Sequence, residues 1–578
     1  MRTPSRTPLL CLALLVLLCT CDRAQPTDAT PDRGSARPNI LVINCEDISP
    51  LLPMFGDSTV ATPNLSRLAA RGIRFPNTFS TAGVCAPSRM TLATGLHPIS
   101  VGGHHMRTQW NVPMLNALGL EPYGALLPPE AKMVSQLLRE HGYYATNNQK
   151  TDYQFVAPKT AWDASGPKAH WSGRPHDTVP FFAVYDLEIT HESQVWMTGR
   201  GNLRFAPGFT DPATPVFGWN DVLPDDERPP LTVPADAALT VPPYLVNDAA
   251  TRGDLRRVYS NIEIMDRQVG FLLDQLAADG LADNTIVFFF SDHGGPLPRG
   301  KRLLYDSGLR VPHIVAFPDG RGAGTVDSAL VSFVDFPPTW LRLAGAAVPD
   351  WMQGRPFLPR REATPRDYVF AAADRLDGFY DRIRAARDHR FKYLRNYYPE
   401  RPYYLPVAYR EQLPSMQSLL RGRDAGTLTD AQAQWFRASK PAEELFDTYA
   451  DPYELNDLAS DPAHAAKLAE LRAATDAWLN RVGDLGAEDE VAMVSRFWGG
   501  ADEMPQTGRP QLRRDSLGRF VLESKTPGAQ IAYQITPPGE PAGVWRVYTG
   551  PFEYRRGDTL RTVAQRIGYR ESTVSVGY

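Results

Sequence analysis

Cysteine is scarce in this chain, with five in 578 residues. Three of them, Cys11, Cys19 and Cys21, fall at the extreme N-terminus. Only Cys45 and Cys85 remain for a folded body, which excludes a disulfide-stapled scaffold. An excess of one charge sign is missing too. The formal net charge is −4, and no basic stripe or tail runs through the sequence, so the electrostatic footprint of a nucleic-acid binder is absent. A polyanionic substrate would have to be met by a local cluster of Arg and Lys. There are no internal repeats, and the apolar run Leu9–Leu18 is too short to span a bilayer as a stable helix. What is present is an ordinary globular balance, 43% apolar and 22% charged, over a length that suits about two to four domains.

Arg2 and Arg6 precede the Leu9–Leu18 run, the pattern of a signal peptide over residues 1–21. Leu18-Cys19-Thr20-Cys21 looks like a bacterial lipobox with Cys21 as the lipidated residue, although Thr20 is larger than the usual Gly or Ala. A plain secretory signal is the alternative. Residues 22–36, rich in Asp, Thr, Pro, Ala and Arg, read as a polar linker. The expectation is an exported protein, periplasmic or at the cell surface, with a membrane tether through Cys21.

Ile40-Leu41-Val42-Ile43 is a continuous apolar run, as expected of a strand covered on both faces of a parallel sheet. Thr62 is placed to cap a helix that begins at Pro63, with Leu65, Leu68 and Ala69 on its apolar face and Gly72 at its end. Phe181–Leu187 and Thr285–Ser291 are further buried-strand candidates. Between them, Leu255, Val258, Ile262, Met265, Val269, Leu272 and Leu276 recur with helical spacing. Strands alternating with helices predict an α/β fold over 37–364, with a large, mostly parallel sheet flanked by helices. From about residue 365, short aromatic segments such as Phe391-Lys392-Tyr393-Leu394 precede a helix around Ala465–Leu479. They predict a smaller antiparallel subdomain over 365–500. Residues 505–578, rich in Gly, Pro and β-formers, predict an appended small β-sandwich-like domain.

In a parallel α/β sheet, sites form beyond the carboxyl ends of the strands. Glu46-Asp47 follows the first strand and Asp292-His293-Gly294 follows Thr285–Ser291. Carboxylates at neighbouring strand tips can converge on one hard cation, though acidic residues after strands also serve as caps. The most informative stretch is Cys85-Ala86-Pro87-Ser88-Arg89-Met90-Thr91-Leu92-Ala93-Thr94-Gly95. A lone cysteine near a helix start can be a small buried residue, or a thiolate whose pKa the helix dipole lowers.

That eleven-residue stretch resembles the signature of the sulfatase family. The likeness extends over roughly 37–460, opening with Arg37-Pro38-Asn39-Ile40-Leu41 ahead of Glu46-Asp47. It implies that Cys85 is oxidised to formylglycine by a maturation enzyme, and that the aldehyde hydrate supplies the attacking hydroxyl. It implies calcium as the metal, with Asp47, Asp292 and His293 as ligands beside Cys85, and with Glu46 where the family more often has Asp. Arg89 matches the arginine that stabilises the hydrated aldehyde. Lys150 keeps the family lysine, but Asp152 stands where many relatives have histidine. His191 matches the histidine near the leaving group, the general-acid candidate. Lys301 matches the lysine that contacts sulfate and leaving oxygen, and Arg302 beside it reads as a surface cation. His105, Arg107 and Asp152 are substrate-side candidates, with Asp374-Arg375 and Tyr380-Asp381-Arg382 behind them. The pair His104-His105, with only His97 nearby, lacks the ligands for a second metal.

The reading that follows is a hydrolase of sulfate esters or sulfamates acting on a sulfated carbohydrate. The Lys150-Thr151-Asp152 variant, the His104-His105 pair and the β-sandwich tail resemble the branch containing heparan N-sulfatases. Two rivals stand beside it. One is a phosphodiesterase or phosphonate hydrolase of the same superfamily, since tetrahedral phosphate and sulfate demand similar cations. The other is a catalytically silent glycan-binding lipoprotein, to which the departures at Asp152 and Glu46 point.

Overall fold

The computed structural model describes residues 37–109, 112–196, 200–201, 221–222 and 229–577. The expected signal over 1–21, the linker over 22–36 and Cys21 lie outside these residues. Arg37–Tyr578 forms one compact unit, and among the described residues no helix is long and apolar enough to cross a membrane.

The central sheet has seven strands. In spatial order they are Gly72–Arg74, His313–Ala316, Thr285–Ser291, Asn39–Cys45, Phe181–Leu187, Tyr144–Asn148 and Ala164–Ser165. From Thr285–Ser291 to Ala164–Ser165 every pair is parallel. His313–Ala316 runs against its neighbours at the other edge. Both faces are covered, which explains the unbroken apolar strands. Leu41, Ile43 and Cys45 face a core with Leu65, Val258 and Ile262. Ile40 and Val42 face the opposite core with Phe288, Phe336 and Trp340.

The helix predicted from Leu255 to Leu276 spans Ala249–Ala278, and its N-cap Asp248 accepts from Thr251 N. The helix Pro63–Arg71 is set differently from the expectation. Thr62 occupies the cap position but its hydroxyl makes no cap bond. Asp266 of the long helix accepts instead from Asn64 N at 3.1 Å and Leu65 N at 2.7 Å. A tertiary carboxylate thus satisfies the free N–H groups of the first turn.

Past residue 365, Val369–Ala373, Ile383–Arg387, Phe391–Asn396 and Glu443–Asp447 form an antiparallel sheet. The helix Ala465–Val482 covers it, with Trp478 stacked on Phe370 at 4.9 Å. The last segment has a ribbon, Gln511–Arg514 with Phe520–Glu523, and a sheet of four strands built on Gln530–Thr536 and Thr559–Gln565. It sits on the α/β part of the chain. Ile567 packs with Met90 and Ala93. Gly568, at φ 94, lets the backbone approach so closely that a Cβ would lie 2.8 Å from Ala125 O.

Strand register sets the site. Cys45 lies opposite both Leu187 and Ser291. Glu46 N donates to Leu187 O at 3.2 Å and Asp292 N donates to Cys45 O at 3.0 Å. Glu46-Asp47, Glu188 and Asp292-His293 therefore leave the sheet side by side at its carboxyl end.

Candidate active site

The helix Cys85–Thr94 points its first turn at these strand tips, and all ten of its residues are buried. Ser88 Oγ donates to Asp292 O at 2.6 Å, tying the helix to the sheet. Gly95, at φ 73, ends it in the left-handed conformation. Cys85 Sγ is left 3.3 Å from His293 Nε2. Cys45, also buried and free, donates weakly to Phe290 O at 3.5 Å, which is a packing role.

Buried cations and carboxylates interlock around Cys85. Arg89 donates to Glu46 Oε1, to Asp186 Oδ1 at 2.7 Å and to Asp292 Oδ2 at 3.1 Å. Lys150 Nζ donates to Glu46 Oε2 at 2.6 Å. Asp47 Oδ2 accepts from Lys301 Nζ and from Glu192 N, both at 2.7 Å. Asp292 Oδ1 accepts from Asp47 N at 3.1 Å. Asp47 itself holds φ 49, a left-handed conformation that costs a non-glycine residue on the order of 1–2 kcal/mol.

These residues fit a divalent cation. Asp47 Oδ1 is buried without a hydrogen-bond donor and lies 3.1 Å from His293 Nε2. His293 Nδ1 is 3.0 Å from Gly294 O. A carbonyl only accepts, so Nδ1 carries the proton and Nε2 presents its lone pair inward. Ligand atoms of Asp47, Cys85, Asp292 and His293 lie within 4.8 Å of one another, as do those of Glu46, Asp47, Cys85 and His191. Glu46 differs from the other predicted ligands in that each of its oxygens already holds a cation.

Electrostatics separate the roles. Burial pushes the Cys85 thiol up to about 12, against the pull of Lys150 and Lys301. The helix start therefore does not make a thiolate of it at neutral pH. Burial, together with Lys301 and Lys150, holds His191 well below the usual histidine range, so its imidazole is neutral. Its Nδ1 is 2.9 Å from Ser193 Oγ and its Nε2 is 3.8 Å from Glu46 Oε2. Burial would also raise Asp292, but His293 and Arg89 hold it below the usual carboxylate range. Burial, aided by Glu46, lifts Glu188 to about 8.

Glu46, Asp47, Cys85, Arg89, Lys150, His191, Asp292, His293 and Lys301 are thus brought together. The substrate-side candidates are not all there. His105 is an interior residue: its Nδ1 accepts from Arg375 N at 3.2 Å and its Nε2 lies 3.7 Å from Glu490 Oε2. The His104 ring lies against it, tilted, at 4.1 Å, and His97 packs edge-on to Trp478 at 5.3 Å. Arg375 pairs with Glu490, Asp374 with Arg384, and Asp381 with Lys440. Arg107, at φ 61, pairs with Asp377 and lies 5.0 Å over the Tyr409 ring. Asp152, at φ 49, adds to the field on Lys150.

Arg302 is not a surface cation. It is buried, with two bonds of 2.8 Å to Glu192. Sequence reasoning also missed Asp186, Glu192 and Tyr409. A carboxylate inside the apolar strand Phe181–Leu187 was a signal for Asp186. Nothing local marks Tyr409, which reaches the site from the long connection between the strands Phe391–Asn396 and Glu443–Asp447. Its ring lies 6.2 Å from that of His191 and 5.6 Å from the Arg302 guanidinium.

A doubly covered α/β sheet with a cysteine, a cation site and converging arginine and lysine at its carboxyl end defines an esterase-type hydrolase centre for a tetrahedral anion. The Sulfatase family model matches residues 38–346, and the model for the C-terminal part of N-sulphoglucosamine sulphohydrolase matches residues 299–402. An ulvan-active sulfatase of Formosa agariphila is 45% identical over 94% of this chain and 92% of its own. Human N-sulphoglucosamine sulphohydrolase is 27% identical over 81% of this chain and 92% of its own. A solved structure in complex with its substrate D-glucosamine-2-N,6-O-disulfate covers 78% of this chain and 100% of its own, with a TM-score of 0.55 at 19% identity. The chain belongs to the sulfatase family and is a sulfuric ester hydrolase.

Proposed function

We propose that this protein removes sulfate from a sulfated glycan by way of a formylglycine derived from Cys85, with a calcium ion at the strand tips. The observation that carries the reading is Cys85 beside the unpartnered Asp47 Oδ1 and the inward Nε2 of His293. The names of the relatives support a glycan as substrate. Asp47, Asp292 and His293, with Glu46 behind them, would hold the calcium, which neutralises sulfuryl oxygens when bound.

The chain's own residues do the rest. Arg89 keeps Glu46, Asp186 and Asp292 in place and sits one helical turn from Cys85. Lys150 and Lys301 bring two ammonium groups to the same centre, where the three sulfuryl oxygens would lie. His191 is neutral in the free enzyme. The negative charge of a bound sulfate ester raises its proton affinity, so His191 takes up a proton with substrate and delivers it from Nε2 to the leaving oxygen.

The protein is exported, tethered through Cys21, and matured by a formylglycine-generating enzyme on this reading. Mass spectrometry of the tryptic peptide Phe75–Arg89 from the native host tests it. The aldehyde form at Cys85 is the expected result, together with sulfate release from ulvan. An unmodified thiol in active protein would sink it.

A further inference from the structure

Just past Lys150 the chain turns outward. Asp152 marks one end of a cleft of about 510 Å³, a size within the roughly 300–1,000 Å³ of ligand clefts. The other wall comes from the C-terminal β-tail, as Val544 and Trp545. Gln109 and Lys159 also line it. Val156 and Val544 are 65% and 63% exposed, so apolar side chains stand in water along the cleft.

Trp545 is held in fixed relation to the reaction centre. Its carbonyl accepts from Arg139 Nη2 at 2.8 Å. The same guanidinium donates to Asp163 Oδ1 at 2.7 Å, and Asp163 Oδ2 accepts from Ala145 N at 2.8 Å. Ala145 is in the strand Tyr144–Asn148, which leads directly to Lys150. The Arg561 guanidinium is 5.5 Å from the indole centre and supports the ring.

The chemistry of the lining selects the occupant. Among the described residues lining the cleft, the one cation is Lys159, set against the carboxylates of Asp152 and Asp163, in contrast to the arginine and paired lysines around Cys85. A second sulfate would find little to neutralise it. Sugar hydroxyls would find an amide, a carboxylate and an aromatic face, the mix that orients a polar ring against an apolar surface.

We infer that this cleft binds the sugar units flanking the sulfated one in a polymeric substrate, with Trp545 as stacking surface and Asp152 and Gln109 as hydroxyl partners. The inference rests on the sulfated-glycan reading above. It gives the tail a function: the enzyme engages a chain and not only a terminal sugar.

The test compares Trp545→Ala and Trp545→Phe with the wild type on two probes, ulvan oligosaccharides and 4-nitrophenyl sulfate. Trp545→Ala should lower kcat/KM on the oligosaccharide by about tenfold more than on the aryl sulfate, mostly through KM, and Trp545→Phe should restore most of it. Calorimetry with a Cys85→Ala background should show the same Trp545-dependent loss of oligosaccharide binding. Equal losses on both probes, or no loss on the oligosaccharide, would overturn the cleft assignment. Sulfate release from 4-nitrophenyl sulfate by the wild type reads the proposed chemistry separately, so the two failures are distinguishable.

Discussion

Arg302 grips Glu192 with both terminal nitrogens at 2.8 Å, and both side chains are buried. The pair fixes the loop that carries His191, since Glu192 N donates to Asp47 Oδ2. Arg302→Met would leave a buried carboxylate without its partner, at a cost of about 3–5 kcal/mol. Denaturant unfolding should show that loss, with a fall in kcat. Arg302→Lys should recover only part of it, because an ammonium cannot reproduce the two-pronged geometry. A variant as stable and active as wild type would remove Glu192 from the site's support.

Calcium removal should act on stability and turnover together. Asp47 Oδ1 and His293 Nε2 face each other with no donor between them. Dialysis against a chelator should lower the unfolding midpoint and abolish sulfate release, and added calcium should restore both. At free calcium about 100 times Kd, mass action contributes about 2.7 kcal/mol. A midpoint indifferent to the ion would argue against the strand-tip site.

Much of this centre was legible because its parts follow buried strands or sit in one contiguous motif. Glu46-Asp47, Cys85, Arg89 and Asp292-His293 are all of that kind, whereas Lys301 was legible only through the family resemblance. The α/β sheet was legible for the same reason, as doubly covered strands carry unbroken apolar runs. What stayed hidden depends on distant parts of the chain. Arg302 reads as a surface charge until Glu192, 110 residues away, is seen opposite it. Thr62 reads as a cap until Asp266 takes over that task from another helix. His105 reads as a site residue by its place after the signature helix, yet the fold turns it toward Arg375 and Glu490.

Tyr409 stands between Arg107 and Arg302, with its ring 5.0 and 5.6 Å from the two guanidinium groups. Its hydroxyl lies in the field of Lys301, Arg107 and Lys150, while burial lifts it to about 12. Tyr409→Ala removes the surface that Arg107 leans on, and KM for a sulfated oligosaccharide should rise about tenfold or less. Tyr409→Phe keeps the ring and should keep most of that affinity. Equal effects of the two variants on KM would assign the contribution to the hydroxyl instead.

Acid stability should depend on His313. The ring is fully buried, stacked on Phe75 at 4.7 Å and close to Phe336 at 4.9 Å. Its Nδ1 is 3.0 Å from Thr78 Oγ1, and its Nε2 has no partner. Burial lowers its pKa from 6.5 to about 3. The folded state therefore binds fewer protons than the unfolded state between those values, and stability falls as pH drops from about 6.5 toward 3. At 1.36 kcal/mol per unit, this one group accounts for about 3 kcal/mol between pH 7 and pH 4. His313→Gln cannot titrate, so its unfolding free energy should fall by that much less over the same interval, whatever its value at pH 7. Urea unfolding at the two pH values measures the difference directly. Parallel losses in the two proteins would mean that His313 is protonated in the folded state or that other groups set the acid limit.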